Sequence, residues 1–352
     1  MKFGMYYFLQ RPRGASEAEI IRTEVDQMVY AEELGYDSVW LTEHHFADYG
    51  LSASPSVLAS ALLSRTSRLQ VGLAVYVLPF HDPIRFAEEM ATLDILARGR
   101  FTVGIGRGNR PTEFIGYRIP QLESRTRLEE AMEIVLQAWT RDEVRFEGRH
   151  WSIPGIPVHP KPESRPHPPL AMAVTSEDSI RWAARNGIRM LNSGLHTPLD
   201  RNKESLRIYR EELEASQPPE TRQRLLSQWT VTKHVYVAPT DEEAQADAKS
   251  AEMWFLDSMA RSMSPDRWTD LDPRIRGQAE SFIANLRSHS WEDLLAGPLV
   301  VGSPETVARK ARELQEADVG EMVCWMNFGG IADARARRSM ELFASQVIPA
   351  LR

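Results

Sequence analysis

The sequence predicts an α/β protein, a (β/α)8 barrel with insertions, occupying residues 1–352 as one domain. Three observations predict it. Eight short β-branched or aromatic runs alternate with amphipathic stretches along the whole chain. The one proline-rich stretch, Pro154 to Pro169, lies inside that rhythm and does not divide it. No Gly-x-Gly-x-x-Gly follows the first run, where the alternative, a two-domain dinucleotide-binding fold, would need it.

Lys2 to Phe8 reads as the first strand, and Gln10 to Ala15 as a polar loop. Ser16, three residues before Glu19, opens a helix from Glu17 to Leu34 that stops at Gly35. The second strand runs through Val39-Trp40-Leu41 into Thr42-Glu43-His44-His45-Phe46, with a loop to Ser56 and a helix from Pro55. Gln70 to Leu78 is read as one unbroken third strand, and Asp82-Pro83 as the cap and first turn of a helix ending at Gly99. Phe101 to Ile105 is the fourth strand, followed by Gly106-Arg107-Gly108-Asn109-Arg110 and a helix from Ser124 to Thr140. Val144 to Ile153 interrupts as a small hairpin. Leu170 to Val174, Ile188 to Leu191, Gln228 to Val237 and Glu321 to Met326 complete the strands, with helices at Ser176 to Asn186, Pro198 to Ser216, Asp241 to Met259, after Ser303-Pro304, and Ile331 to Leu351.

Bulk properties exclude several classes. A net charge of −7 and a pI of about 5.8 give no general attraction for nucleic acid or an anionic membrane. One cysteine, Cys324, excludes an intrachain disulfide and a thiolate metal cluster, which suits a reducing cytoplasm. No apolar run reaches the roughly 20 residues a membrane helix needs. The amino terminus enters a strand without a secretory core, so the expected location is cytoplasmic.

In a barrel the chemistry sits at the carboxyl ends of the strands, which places Glu43-His44-His45 at the candidate site. Adjacent strand residues point to opposite faces, so His44 and His45 cannot both face one metal, and no metal is expected. The ordinary alternative has one imidazole satisfying buried carbonyls and the other facing solvent. Arg107 after Gly106, Arg125 at a helix start, and Thr175, Ser176 and Ser179 at another could clasp one phosphate. Equally, Arg107 and Arg125 could pair with Glu113 or Glu123, leaving Ser176 a simple cap.

These stretches resemble the bacterial luciferase family of flavin-dependent monooxygenases. The resemblance runs through Met1-Lys2-Phe3-Gly4, Leu34 to Phe46, Val75 to Pro79 with His81, Pro83 and Arg85, Leu93 to Phe101, Gly104 to Gly108, Ser124-Arg125, Ser176 to Gly187, Val301 to Pro304 and the last helix. It implies a TIM barrel binding reduced FMN (FMNH2) from a separate NAD(P)H-dependent flavin reductase. It also implies O2 addition at C4a to give a peroxyflavin that oxygenates a small organic substrate. On the same basis His44 is the catalytic imidazole, Arg107, Arg125, Thr175, Ser176 and Ser179 hold the flavin phosphate, and Ala74-Val75 is a cis peptide beneath the ring. A homodimer is the expected assembly. A coenzyme F420-dependent hydride-transferring oxidoreductase and a non-catalytic flavin-binding subunit are the alternatives. Gly106 replaces the luciferase cysteine, and Thr175 its acidic residue, which argues against light emission. Gly106 is expected to leave more room for substrate.

Ser262 to Gly297 interrupts the rhythm and carries Trp268, Leu271, Phe282, Leu286 and Trp291. So long a connection with apolar groups is expected to be a mobile lid over the barrel mouth.

Overall fold

Alternating side chains on each strand divide the interior in two. Met5, Tyr7, Val39, Leu41, Met322 and Cys324 belong to one apolar cluster, whereas Tyr6, Phe8, Trp40, Val323 and Trp325 belong to the other. The period of two sends one set outward beneath the helices and the other toward the barrel interior. The computed structural model describes all residues of 1–352 except Arg13, Asp48, Tyr49, Ser193, Gly194 and 266–270.

Eight parallel strands close on themselves: Lys2–Tyr7, Ser38–Leu41, Gln70–Leu73, Phe101–Gly106, Leu170–Ala173, Arg189–Asn192, Thr230–Val237 and Glu321–Trp325. Met5 pairs with Val39 on one side and with Cys324 on the other, so the first strand joins the second and the last. The strands are nearly all buried, as expected of parallel strands covered by helices. The helices begin where the sequence marks them. Asp82 accepts the N–H groups of Ile84 and Arg85, each at 3.0 Å, ahead of Pro83. Ser16 caps Glu17–Glu33 and Ser303 caps Pro304–Glu316.

Four elements differ from the sequence reading. The third strand is not continuous: it ends at Leu73, and Tyr76–Val77 pairs separately with Ile105 and Gly106, beyond an Ala74–Val75 peptide that is cis as the resemblance implied. A helix, Pro111–Tyr117, follows the fourth strand, where only a loop was expected. Another helix, Pro219–Ser227, precedes the seventh strand. Val300–Gly302 is a short strand on the far end of Thr230–Val237, outside the closed ring.

The segment between the seventh-strand helix and Val300 holds two helices, Pro273–Ser288 and Trp291–Ala296. Pro273–Ser288 packs on the long helix Asp241–Met263. Leu286 and Trp291 are buried in the interior cluster. Trp268 lies outside the described residues. Among the described residues, no helix is long and apolar enough to cross a membrane.

Candidate active site

The second strand delivers Glu43, His44 and His45 to the carboxyl end of the barrel, and the three part there. Glu43 is buried, and one of its oxygens accepts from His45 Nε2 (2.8 Å) and His81 Nε2 (2.7 Å). The other accepts the Val77 amide at 2.6 Å. Burial alone would raise this carboxyl, but the bonds from His45 and His81 hold it below the usual range. His45 also meets the Tyr117 hydroxyl at 2.9 Å, so it is a structural imidazole.

His44 lines the cavity. Its ring stacks on Phe8, with centroids 4.6 Å apart, and its Nδ1 lies 3.1 Å from Glu113 Oε1. The same oxygen accepts the His45 amide at 3.1 Å. Burial pushes the His44 imidazole below its ordinary value; the Arg110 charge adds to this, and Glu113 opposes it. Glu113 comes from the unanticipated helix Pro111–Tyr117, which reads poorly as a helix because it is short and contains Gly116.

The cavity holds about 360 Å³ and brings together His44, Ala74, Val75, Gly106, Arg107, Arg125, Thr175, Ser176 and Ser179. All nine residues singled out in the sequence therefore meet at one place. Arg107 makes no ion pair among the described residues, and its guanidinium is held below its ordinary value by burial and then by the neighbouring Arg125 charge. Arg125 lies 3.5 Å from Asp178 and 3.9 Å from Glu129. The carboxylates offered as partners for these arginines are engaged elsewhere. Glu123 pairs with Arg127 and Arg149, each at 3.1 Å, and Glu113 with His44.

Ser176 and Ser179 form a reciprocal capping box at the start of Glu177–Arg185. Ser179 Oγ accepts the amides of Ser176 (3.1 Å) and Thr175 (3.3 Å). One expectation fails at Gly106: a Cβ there would run into Val75 Cγ2, so the space left by the missing side chain is filled by Val75 and not open to substrate. The far part of the cavity is walled by Met259, Met263, Phe282 and Leu286, with His196, Asn285 and His289 among them. The sequence reading passed over His196 because its partners, His234 and Glu252, lie on other elements.

Barrels of this kind carry their chemistry at this end of the strands. The chain belongs to the luciferase-like monooxygenase family, whose model matches residues 1–320. It is 32% identical over 211 residues to the alkanal monooxygenase alpha chain of Photorhabdus luminescens, across 60% of this chain and 58% of that one. The chain spans little more than half the length of the curated relatives it first matches. In fold it resembles the monooxygenase RslO1 of Streptomyces bottropensis, at TM-score 0.83, 24% identity and complete coverage of both chains. It also resembles the oxygenating constituent of 3,6-diketocamphane monooxygenase of Pseudomonas putida, solved with FMN, at TM-score 0.80 and 21% identity, over 99% of this chain and 98% of that one.

The His44–Glu113 contact gives a pH prediction with a definite sign. His44 should titrate below the ordinary imidazole value, because burial and Arg110 outweigh Glu113. Glu113→Gln removes an anion that favours the imidazolium, so the His44 titration followed by NMR should move further down. An upward movement would contradict the assignment.

Proposed function

We propose that this chain is the oxygenase component of a two-component system. In this reading it binds reduced FMN supplied by a separate NAD(P)H-dependent flavin reductase and oxygenates a small organic molecule with O2. The observation that carries the reading is the pair of guanidinium groups at one end of the cavity. Arg107 lacks an ion-pair partner among the described residues, Arg125 meets only carboxylates at 3.5 Å and beyond, and the start of Glu177–Arg185 lies beside them. Two like charges kept together at a cavity wall are costly unless an anion joins them. A phosphate monoester fits that need, with Ser176, Ser179 and Thr175 offering hydroxyl and amide groups.

FMN would then lie with its phosphate at Arg107 and Arg125 and its ring along Ala74, Val75 and Gly106 toward His44. When bound in reduced form, it supplies the two electrons that activate O2, so that one oxygen atom enters the substrate and the other leaves as water. The chain's own work is to orient the flavin, exclude water and move protons. His44, held by Glu113 and stacked on Phe8, exchanges a proton beside the reacting centre. Such a group contributes about 10²–10⁴-fold in rate. The resemblance to the luciferase family supports this use of His44, which lines the same cavity as Arg107 and Arg125.

The helix Pro273–Ser288 serves as the lid in this reading. Phe282, Asn285 and Leu286 contribute to the cavity wall, and Ser262, at the end of the preceding helix, is tied to Arg110 at 2.5 Å. Opening and closing of this helix would admit substrate and then exclude water.

Two measurements check these assignments. Arg107→Ala should weaken FMN binding by roughly 10–100-fold, since a charge-assisted bond contributes about 1.5–3 kcal/mol, and should leave riboflavin binding nearly unchanged. Equal affinity of the parent for FMN and riboflavin, or preference for F420, would overturn the cofactor assignment. Replacing Arg274 to Ser288 by a short Gly-Ser linker should preserve flavin binding while diverting reduced flavin to hydrogen peroxide. Unchanged coupling in that variant would remove the lid role.

A further inference from the structure

The same cavity contains a second polar assembly that flavin binding does not use. His196, in the loop after the sixth barrel strand, lines the cavity and bonds through Nε2 to Glu252 Oε1 at 2.6 Å. The other oxygen of Glu252 accepts from His234 Nδ1 at 2.5 Å. Glu252 and His234 are both completely buried. His234 stacks on Phe328, with ring centroids 4.5 Å apart, and meets Trp325 and Phe255 edge-on.

Where the protons sit follows from these contacts. Burial alone would raise the Glu252 carboxyl, but its two imidazole partners hold it down at about 2, so it is ionised. His234 Nε2 has no partner among the described residues. A second proton there would be an unpaired donor in an aromatic cage, which is costly, and burial holds this imidazole below its ordinary value. His234 therefore stays neutral, with its one N–H on Glu252. His196 likewise gives its Nε2–H to the ionised Glu252, which leaves Nδ1 as the unprotonated nitrogen of a ring that lines the cavity. The nearby charged and titratable groups are Lys233, bonded to the Thr197 carbonyl at 2.6 Å, and His289, whose ring lies 6.1 Å from that of His196.

A carboxylate on one imidazole nitrogen makes the other an effective base, because the imidazolium that forms is stabilised where it stands. The walls around it, Leu195, Met259, Met263, Phe282 and Leu286, are apolar. They suit a ligand with a hydrophobic body and one weakly acidic hydroxyl.

We propose that His196 is a catalytic base acting on the substrate, that Glu252 and His234 position it, and that the substrate is a phenol or an enol. The substrate O–H bond breaks, an N–H bond forms at His196 Nδ1, and the electron pair stays on oxygen, delocalised onto the conjugated carbon. That carbon is then the nucleophile an oxygen-atom donor requires, so the proposal rests on the oxygenase reading of the cavity. The ligand atoms of His196, His234 and Glu252 also lie within 4.8 Å of one another, a spacing open to a metal ion. Both carboxylate oxygens, however, already accept imidazole N–H groups, and the proton role uses those contacts as they stand.

The test uses the full chain without flavin and para-nitrophenol as the probe, in phosphate buffer so that inorganic phosphate competes for the guanidinium groups. Below the pKa of the free phenol, binding to the parent should increase the yellow phenolate about tenfold, a shift of one pKa unit. His196→Gln should bind the probe but leave it neutral, and Glu252→Gln should lose most of the shift. If the buried Glu252 variant does not fold, His196→Gln, in the loop that lines the cavity, still decides the question. The same phenolate yield in His196→Gln as in the parent, no probe binding by the parent, or loss of the shift on adding EDTA would each overturn the proposal. FMN binding, read separately by flavin fluorescence, keeps the two readings apart: its absence from the parent defeats the oxygenase reading without touching the probe result.

Discussion

The carboxylate of Glu43 accepts three N–H groups, from His45, His81 and the Val77 amide, in a place closed to water. An ionised carboxylate so buried costs several kcal/mol unless it is fully bonded, so the three partners stand or fall together. Each fixes a different part of the cavity. The Val77 amide holds the backbone two residues beyond the cis Ala74–Val75 peptide, where the third strand breaks off. His81 ties down the turn that leads into the next helix. His45 is drawn to the side of the strand away from the cavity. With His45 held by Glu43 and Tyr117, His44 is left as the imidazole that lines the cavity.

From that fixed wall the cavity changes character along its length. At one end, Arg107 and Arg125 set positive charge beside a helix start. In the middle, His44 rests on Phe8, which stacks in turn on Trp325 with centroids 4.6 Å apart. The far wall is apolar, with imidazoles embedded in it. Trp325 also meets His234 edge-on, so one aromatic stack separates the two histidine–carboxylate assemblies. His44 with Glu113 and His196 with Glu252 thus repeat one device beyond the ends of different strands, a buried carboxylate holding an imidazole that lines a shared space.

The parts legible in the sequence were those with a local signature. Strands announced themselves by apolar runs, and helix starts by Ser16, Asp82 and Ser303, each of which caps as its spacing suggested. His44, Arg107 and Arg125 could be placed because they follow strands or open helices. What escaped depends on contacts between distant residues. Glu113 sits on a seven-residue helix whose proline and glycine read as loop. Glu252 reaches His196 across 56 positions and His234 across 18, and no periodicity encodes such a meeting. The room assigned to Gly106 vanished because Val75, brought across by the neighbouring strand, fills it. Residues 271–297, part of the Ser262 to Gly297 stretch read as an insertion with some helix, turn their apolar groups to a helix rather than the sheet. In the fold they are two helices with Leu286 and Trp291 buried.

The central claim is that this cavity seats a flavin by its phosphate. A crystal structure of the chain with FMN tests it most directly. The account predicts density for the phosphate between Arg107 and Arg125, within hydrogen-bonding reach of Ser176, with the isoalloxazine ring running past Val75 toward His44. A flavin with its phosphate in solvent, or seated elsewhere on the barrel, would contradict it.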